Sequence, residues 1–185
     1  MELGIRPLEL RHREHAEALV ALQRAAYTVE AELIGFAGIP AMRETVADVA
    51  NLDERVLGRF DGERLLGAVG YLRVGTELEL CRLVIDPAAF RAGHASALLD
   101  AVDAAEPGVA RTTVSTGASN TPALALYGRR GFRVIDVRDV APGVAIARLE
   151  RSGSPATVEE PAERGTLSRM GSGASGRPAP SAPVS

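Results

Sequence analysis

Apolar residues in the first fifty positions recur mainly at helical spacing. Residues 15–30 place Leu19 and Val20 near one face, which is typical of an amphipathic helix. The segment 31–40 contains two glycines and a proline and is predicted to be a loop. A short helix is predicted around residues 43–51.

The middle of the chain alternates apolar and polar positions, as strands do. Residues 55–60 and 64–72 flank the turn pair Asp61-Gly62, which predicts a hairpin. Residues 77–85 first alternate and then become continuously apolar, as a strand does when it enters a buried sheet.

Helices and strands then alternate along the chain. We predict a helix over 93–104, a strand over 111–115, a helix over 121–130, and strands over 133–137 and 144–149. With a strand before the first helix, the order is β, α, α, β, β, β, α, β, α, β, β. This order favours an α/β (α+β) fold in which helices flank a mixed sheet.

Composition changes abruptly after Glu150. Residues 151–185 contain five Gly, five Pro and seven Ser, and few large apolar side chains. Such a stretch buries too little apolar surface to offset the entropy of ordering it, so a disordered tail is predicted. We therefore expect one folded domain over 1–150, with a solvated tail or, alternatively, a tail that binds a partner.

Charge and cysteine content exclude several classes of function. The 21 basic residues are all arginine, the net charge is −3 and the pI is about 5.7, so no basic footprint for nucleic acid is visible. Cys81 is the single cysteine and the three histidines are scattered, so no metal site is expected. No apolar run approaches the roughly 20 residues that a membrane helix needs, and a cytoplasmic location is expected.

The first segment with chemical potential follows the strand 77–85. Small residues at Ala92, Gly93 and Ala95 open the next predicted helix, and Arg91 adds a positive charge. Helix N-termini expose free N–H groups that bind phosphate, and small residues let a phosphate approach the backbone. An ordinary alanine-rich helix start is the alternative interpretation.

The second segment begins the helix 121–130. Asn120 or Thr121 fits an N-cap, and Pro122 fits the first turn. Tyr127 lies two turns beyond Asn120, so both side chains can face the same side of the sheet. A capping Asn and a half-buried core Tyr explain the pair equally simply.

Together, the two segments resemble the acyl-CoA-binding core of the GCN5-related N-acetyltransferase (GNAT) family. The family's loop Gln/Arg-x-x-Gly-x-Gly/Ala is matched from Phe90 to Ala95, although Phe90 stands at the Gln/Arg position. The family's later motif, Asn-x-x-Ala-x-x-Leu-Tyr followed by Gly-Phe, is matched by Asn120, Ala123, Leu126, Tyr127, Gly131 and Phe132. The resemblance implies a GNAT-like, mostly antiparallel sheet with flanking helices.

The resemblance also implies a co-substrate and its binding residues. Acetyl-CoA would lie along Leu83, Val84 and Ile85, and its pyrophosphate would rest on the N–H groups of Arg91, Ala92, Gly93, His94, Ala95 and Ser96. Asn120 would bind the cofactor or orient the acceptor, and Tyr127 would be the general acid that protonates the departing thiolate. His94 is expected to point its side chain into solvent.

The base that deprotonates the amine is less well defined. Glu77, Glu79 and Cys81 alternate onto one face of the central strand, and Glu79 stands where some family branches place a catalytic glutamate. A solvated carboxylate at Glu79 and a relayed water as the base are the alternative. Cys81 is interpreted as a buried structural thiol.

The function that follows is direct acetyl transfer from acetyl-CoA to a small-molecule or peptide amine, without a metal. Glu30, Glu32 and Glu44 lie among apolar residues and would suit a cationic acceptor, or are ordinary surface carboxylates. The alternative function is a non-catalytic acyl-CoA sensor. No nucleic-acid or membrane partner is expected, and a homodimer is left open.

Overall fold

A single mixed sheet organises residues 3–153, the part of the chain that the computed structural model describes. Seven strands lie in the order β1-β2-β3-β4-β5-β7-β6, and only β4 and β5 pair in parallel. The strands are β1 Leu3–Pro7, β2 Arg55–Asp61, β3 Arg64–Val74, β4 Glu77–Ile85, β5 Arg111–Gly117, β6 Arg133–Ala141 and β7 Val144–Ser152. The helices are α1 Arg13–Ile34, α2 Val46–Ala50, α3 His94–Ala105 and α4 Thr121–Arg129. The predicted fold class and element order are confirmed.

Two apolar clusters cover the two faces of the sheet. Side chains from α1 and α2, including Leu19 and Val49, pack on one face. Side chains from α3 and α4, including Leu98 and Tyr127, pack on the other. Short 3₁₀ turns at Pro40–Arg43 and Pro87–Ala89 complete the connections. No helix in the described range is long and apolar enough to span a membrane.

Two predicted boundaries were wrong. Helix α1 continues to Ile34, inside the segment predicted as a loop, and ends at Gly35, which adopts the left-handed conformation that favours glycine (φ 68°). Strand β7 runs to Ser152, past the predicted strand end at residue 149. The rest of the predicted tail, from residue 154 on, lies outside the described residues.

A bulge in β4 changes which face its side chains meet. Gly70 of β3 pairs with Arg82, but Tyr71 pairs with Leu80, so Cys81 is an extra residue. Leu80, before the bulge, packs on the α3 side, whereas Val84, after it, packs on the α1 side. In a regular strand two residues four positions apart would face the same side. One strand therefore contributes buried side chains to both faces.

The bulge lies over a buried ion cluster centred on Arg82. The Arg82 Nε and Nη2 donate to the two carboxylate oxygens of Glu54 at 2.7 and 2.8 Å. Its Nη1 donates to Glu44 at 2.8 Å and to the side-chain oxygen of Gln23 at 2.9 Å. Because the Arg82 side chain is only 5% exposed, this cluster connects β4 with α1 and with the segments before α2 and β2 in a region shielded from water.

Glycine is required at position 70 by this cluster. A Cβ built on Gly70 would lie 2.3 Å from a Glu54 carboxylate oxygen and 2.8 Å from the Arg82 Cγ. A side chain here would therefore push the guanidinium and its partner apart. The glycine of β3 and the bulge of β4 together make room for the ion cluster.

Removing the Arg82 charge should destabilise the fold strongly. Arg82→Met keeps the aliphatic stem but leaves Glu44 and Glu54 without their cation, so the free energy of unfolding should fall by about 3–5 kcal/mol. Arg13→Met, which breaks the exposed Arg13–Glu17 pair, is the control and should leave the free energy of unfolding nearly unchanged. Urea denaturation of both variants measures the difference.

The loss of stability in Arg82→Met should also depend on pH. Burial opposes the charge on Glu44, but hydrogen bonds from Arg82 and Gln23 hold the pKa of its carboxyl below the usual value. A lowered folded pKa stabilises the protein above the unfolded pKa, and this stabilisation disappears as pH falls through the folded pKa. The difference in the free energy of unfolding between the wild type and Arg82→Met should therefore become smaller below about pH 4.5. A difference in the free energy of unfolding that stays constant down to pH 3 would show that ionic pairing does not cause it.

Candidate active site

Strands β4 and β5 separate halfway along their length. Their pairing runs from Glu77↔Arg111 to Leu80↔Val114 and stops there, while β4 continues to Ile85 and β5 to Gly117. Beyond the bulge, β4 keeps its partner β3 on one side only. Its other edge, at residues 82–85, therefore presents backbone N–H and C=O groups to an open cleft.

The cleft leads to the N-terminus of α3. Arg91 (φ 63°) and Gly93 (φ 79°) both adopt the left-handed conformation, and Gly93 caps the helix without a side-chain hydrogen bond. Nothing lies within 4 Å of the position that a Cβ of Gly93 would take. The helix end is therefore open on the side of the Gly93 Cβ position, and a helix N-terminus offers unpaired N–H groups and a partial positive charge. Residues 91–96 thus form the turn and helix start that the sequence predicts, and their binding of an anion stays a prediction.

His94 lies differently from its expected position. It was predicted to point into solvent, but it is only 7% exposed, and its Nδ1 is buried without a hydrogen-bond partner among the described residues. The reason is helical periodicity, because His94 begins α3 one turn before the buried Leu98. Phe90, at the position where the resemblance expects Gln or Arg, is 46% exposed at the mouth of the same loop.

Asn120 is the N-cap of α4, as predicted. Its side-chain oxygen accepts a hydrogen bond from the Ala123 N–H at 3.2 Å, and the residue is 8% exposed. Its amide lies close enough to Glu30 of α1 to oppose the effect of burial, which raises the pKa of that carboxyl. Asn120 therefore connects α4 to α1 across the end of the sheet.

Tyr127 is 5% exposed and packs edge to face against Phe132, with ring centroids 5.4 Å apart. Burial raises the pKa of its hydroxyl, and nearby Tyr27 and Glu30 raise it further. Tyr27 and Glu30 belong to α1, on the opposite face of the sheet. The groups that raise the pKa of Tyr127 beyond the effect of burial therefore lie on the other face of the sheet.

The sequence pattern does not single out Tyr27, and it suggests a role for Glu44 that differs from the one seen in the structure. Burial raises the pKa of Tyr27, and the charges of Glu30, Glu44 and Glu54 add to this effect while Arg82 opposes it. Glu44 was considered as a contact for a cationic acceptor, but it is paired with Arg82. A tyrosine on the predicted apolar face of α1 offers no sequence signal that separates it from a core residue.

The acidic strand positions lie on the α1 side of the sheet. Glu79 is exposed, and its backbone oxygen accepts a weak contact from the Cys81 thiol at 3.6 Å. Cys81 was predicted to be buried but is exposed, because the bulge turns it outward. The residue is exposed as a whole but its sulfur is partly buried, and this partial burial, together with the charges of Glu54 and Glu79, raises the pKa of the Cys81 thiol to about 11. The thiol is therefore protonated at neutral pH, which argues against a nucleophilic role.

Comparison with known proteins agrees with this geometry. The model of the acetyltransferase (GNAT) family matches residues 6–132. The curated relative UPF0157 protein YqkA of Bacillus subtilis (strain 168) is 36% identical over 140 residues, which cover 75% of this chain and 41% of that protein. This chain therefore spans less than half the length of that relative.

Solved structures share the fold. The PaiA N-acetyltransferase of Thermoplasma acidophilum, in complex with coenzyme A, has a TM-score of 0.64 and 20% identity, and the match covers 83% of this chain and all of that one (100%). The ribosomal-protein-S18-alanine N-acetyltransferase of Escherichia coli has a TM-score of 0.68 and 20% identity, and covers 86% of this chain and 99% of that one. With the family model matching well over half of its length, this chain belongs to the acetyltransferase (GNAT) family.

Proposed function

We propose that this protein is an acetyl-CoA-dependent N-acyltransferase that moves an acetyl group directly to an amine acceptor. The observation that carries the proposal is the separation of β4 from β5 beside the N-terminus of α3. An extended ligand with amide groups and a pyrophosphate would meet an unpaired strand edge and then free helix N–H groups. The coenzyme A complex of the structurally similar Thermoplasma enzyme supports this choice of ligand.

The residues present fit acetyl-CoA. Leu83, Val84 and Ile85 supply the backbone groups of the open edge, and residues 91–96 supply the N–H groups and the Arg91 charge. Bound acetyl-CoA would contribute an activated acetyl thioester. Exposed Phe90 replaces a polar side chain of the family loop, so we assign the pyrophosphate contacts to the backbone and Arg91 alone.

Tyr127 is the proposed general acid. Its raised pKa keeps the phenol protonated at neutral pH, and its position beside the cleft suits proton donation to a leaving thiolate. Asn120 holds the start of α4 and would orient the acceptor or the cofactor. Glu79, or a water relayed through the cleft, would take the proton of the incoming amine.

The acceptor is proposed to be a small-molecule or peptide amine. Glu30 is half-buried beside Asn120, and Ile34 of the same helix packs over Gly117 at the end of β5. This combination of a carboxylate and an apolar wall at the cleft mouth suits a cationic group on an apolar body. Phe90 is the feature that favours the second candidate, a non-catalytic acyl-CoA sensor.

Acetyl-CoA should stabilise the full chain against heat. At about 100-fold over its dissociation constant a ligand adds about 2.7 kcal/mol, which raises the Tm by roughly 5–10 °C for a chain of this size. Ser96→Asp should abolish this rise, because the added carboxylate repels the pyrophosphate, while the same charge in a first helical turn does not destabilise the free protein. Ala47→Asp, in the first turn of α2, is the control and should keep the rise. Absence of any rise in the wild type would contradict acetyl-CoA binding.

Tyr127→Phe should lower kcat on the order of 100-fold while leaving the acetyl-CoA-induced rise in Tm unchanged, because only the proton donor is lost. Thiol release from acetyl-CoA over a panel of amines measures turnover. Tyr71→Phe is the matched control, since the Tyr71 hydroxyl lies by the Glu106 carboxylate at the other end of α3. Equal turnover in Tyr127→Phe and wild type would remove Tyr127 from the chemistry, and thermal stabilisation without turnover of any amine would favour the sensor.

A further inference from the structure

Strand β6 forms an edge of the sheet that is unusually apolar. It pairs with β7 on one side, and no strand within residues 3–153 covers its other side. Four of its large apolar residues are about half exposed: Val134 (52%), Ile135 (49%), Val137 (54%) and Val140 (52%). An edge with free N–H and C=O groups and apolar side chains is a template for pairing with another strand.

The other edge of the sheet is protected against such pairing. Strand β1 is only five residues long and ends in Pro7, which has no N–H to donate. Strand β6 has nine residues and no proline. The unprotected edge is therefore specific to β6.

We propose that β6 is the interface between two copies of this chain, which pair antiparallel about a twofold axis through Val137. In this register Val137 faces itself, Asp136 faces Arg138 of the other copy, and Val134 faces Val140. Antiparallel self-pairing is isologous, so each of these contacts except the central one occurs twice. Contacts near the axis therefore match in chemistry, whereas farther out Ile135 faces Asp139 and Arg133 faces Ala141.

The charges of β6 select this register. Asp136 and Arg138 already pair with each other at 2.7 Å on the same face of one strand. Across the twofold axis the two pairs form a square in which every neighbour has the opposite sign. Moving the register by two residues in either direction places Asp136 or Arg138 opposite itself. A shift by one places Asp136 opposite Asp139 in one direction. In the other direction it places both Asp136 and Arg138 opposite apolar residues, so the attraction between opposite charges is lost. Like charges directly opposite are destabilising in a sheet.

Bulges on the β7 side concentrate the interface near the axis. The β6–β7 register is interrupted between Val134 and Asp136 and between Asp139 and Ala141. The regular stretch of β6 is therefore 136–139, which holds the axis residue and both charged residues. Ile146 of β7 pairs with Arg138 and is 38% exposed, so it extends the apolar surface beside the charge square.

The oligomeric state of the full chain tests the interface. Sedimentation or light scattering should give twice the 19.4 kDa chain mass for the wild type at about 100 µM. Val137→Lys places two ammonium groups at the axis and should raise the dimer dissociation constant at least about tenfold. Val74→Lys, at a 79% exposed position of β3 away from this edge, is the control and should keep the wild-type mass. A monomeric wild type, or a dimer unaffected by Val137→Lys, would overturn the proposal.

A charge exchange tests the register itself. Asp136→Arg and Arg138→Asp each place like charges opposite one another, so each variant alone should be monomeric. Mixed together, the two variants face each other with opposite charges and should form a heterodimer of wild-type size. An effect confined to the fold of one copy cannot be rescued by mixing, so failure of the mixture to associate would overturn this register.

Discussion

The shared guanidinium of Arg82 is the interaction on which the geometry of the site depends. It is held by Glu54 and Glu44 and by the Gln23 side chain, at distances of 2.7–2.9 Å. Arg82 follows the bulge of β4 directly, at the point where β4 leaves β5. The cluster therefore fixes α1 and the α2 region against the strand at the position where the cleft opens. An alternative strand register at this point would bury Arg82 without its carboxylates, at a large cost in free energy.

The cleft also brings the two faces of the sheet into electrostatic contact. Tyr127 belongs to the apolar cluster of α3 and α4, yet the groups that raise its pKa beyond the effect of burial, Tyr27 and Glu30, lie on α1. A continuous sheet would separate these groups with a layer of backbone and side chains. Separation of β4 from β5 is therefore both the proposed binding site and the reason that the proposed acid, Tyr127, and Glu30 of α1 interact from opposite faces of the sheet.

Much of this arrangement could be predicted from local sequence. The apolar strand 77–85, the small residues at 92–95 and the spacing from Asn120 to Tyr127 are short-range patterns, and the structure places all three around one cleft. The hairpin around Asp61-Gly62 is equally local, because these two residues favour the tight turn that joins its strands. These features need no information about distant contacts.

The remaining features depend on long-range contacts. The Arg82 cluster joins residues up to 59 positions apart, so no local pattern reveals it. The bulge at Cys81 shifts the phase of β4, and no local pattern marks the residue at which the extra position is inserted. Tyr27 appears as an ordinary apolar-face residue until the fold brings it near Tyr127, which lies on the other face of the sheet. Edge strand β6 likewise looks like any apolar strand until the sheet order shows that, among residues 3–153, no strand lies on one side of it.

Hydrogen exchange of the backbone amides, measured with and without saturating acetyl-CoA, tests the central claim most directly. The account predicts slower exchange in two separate segments, the open strand edge at 82–85 and the loop at 91–96, and no change in β1. ATP, which offers phosphates without the extended thioester arm, should slow exchange at 91–96 at most. Protection by acetyl-CoA that spares 82–85 would contradict the assignment of the β4–β5 cleft as the acetyl-CoA site.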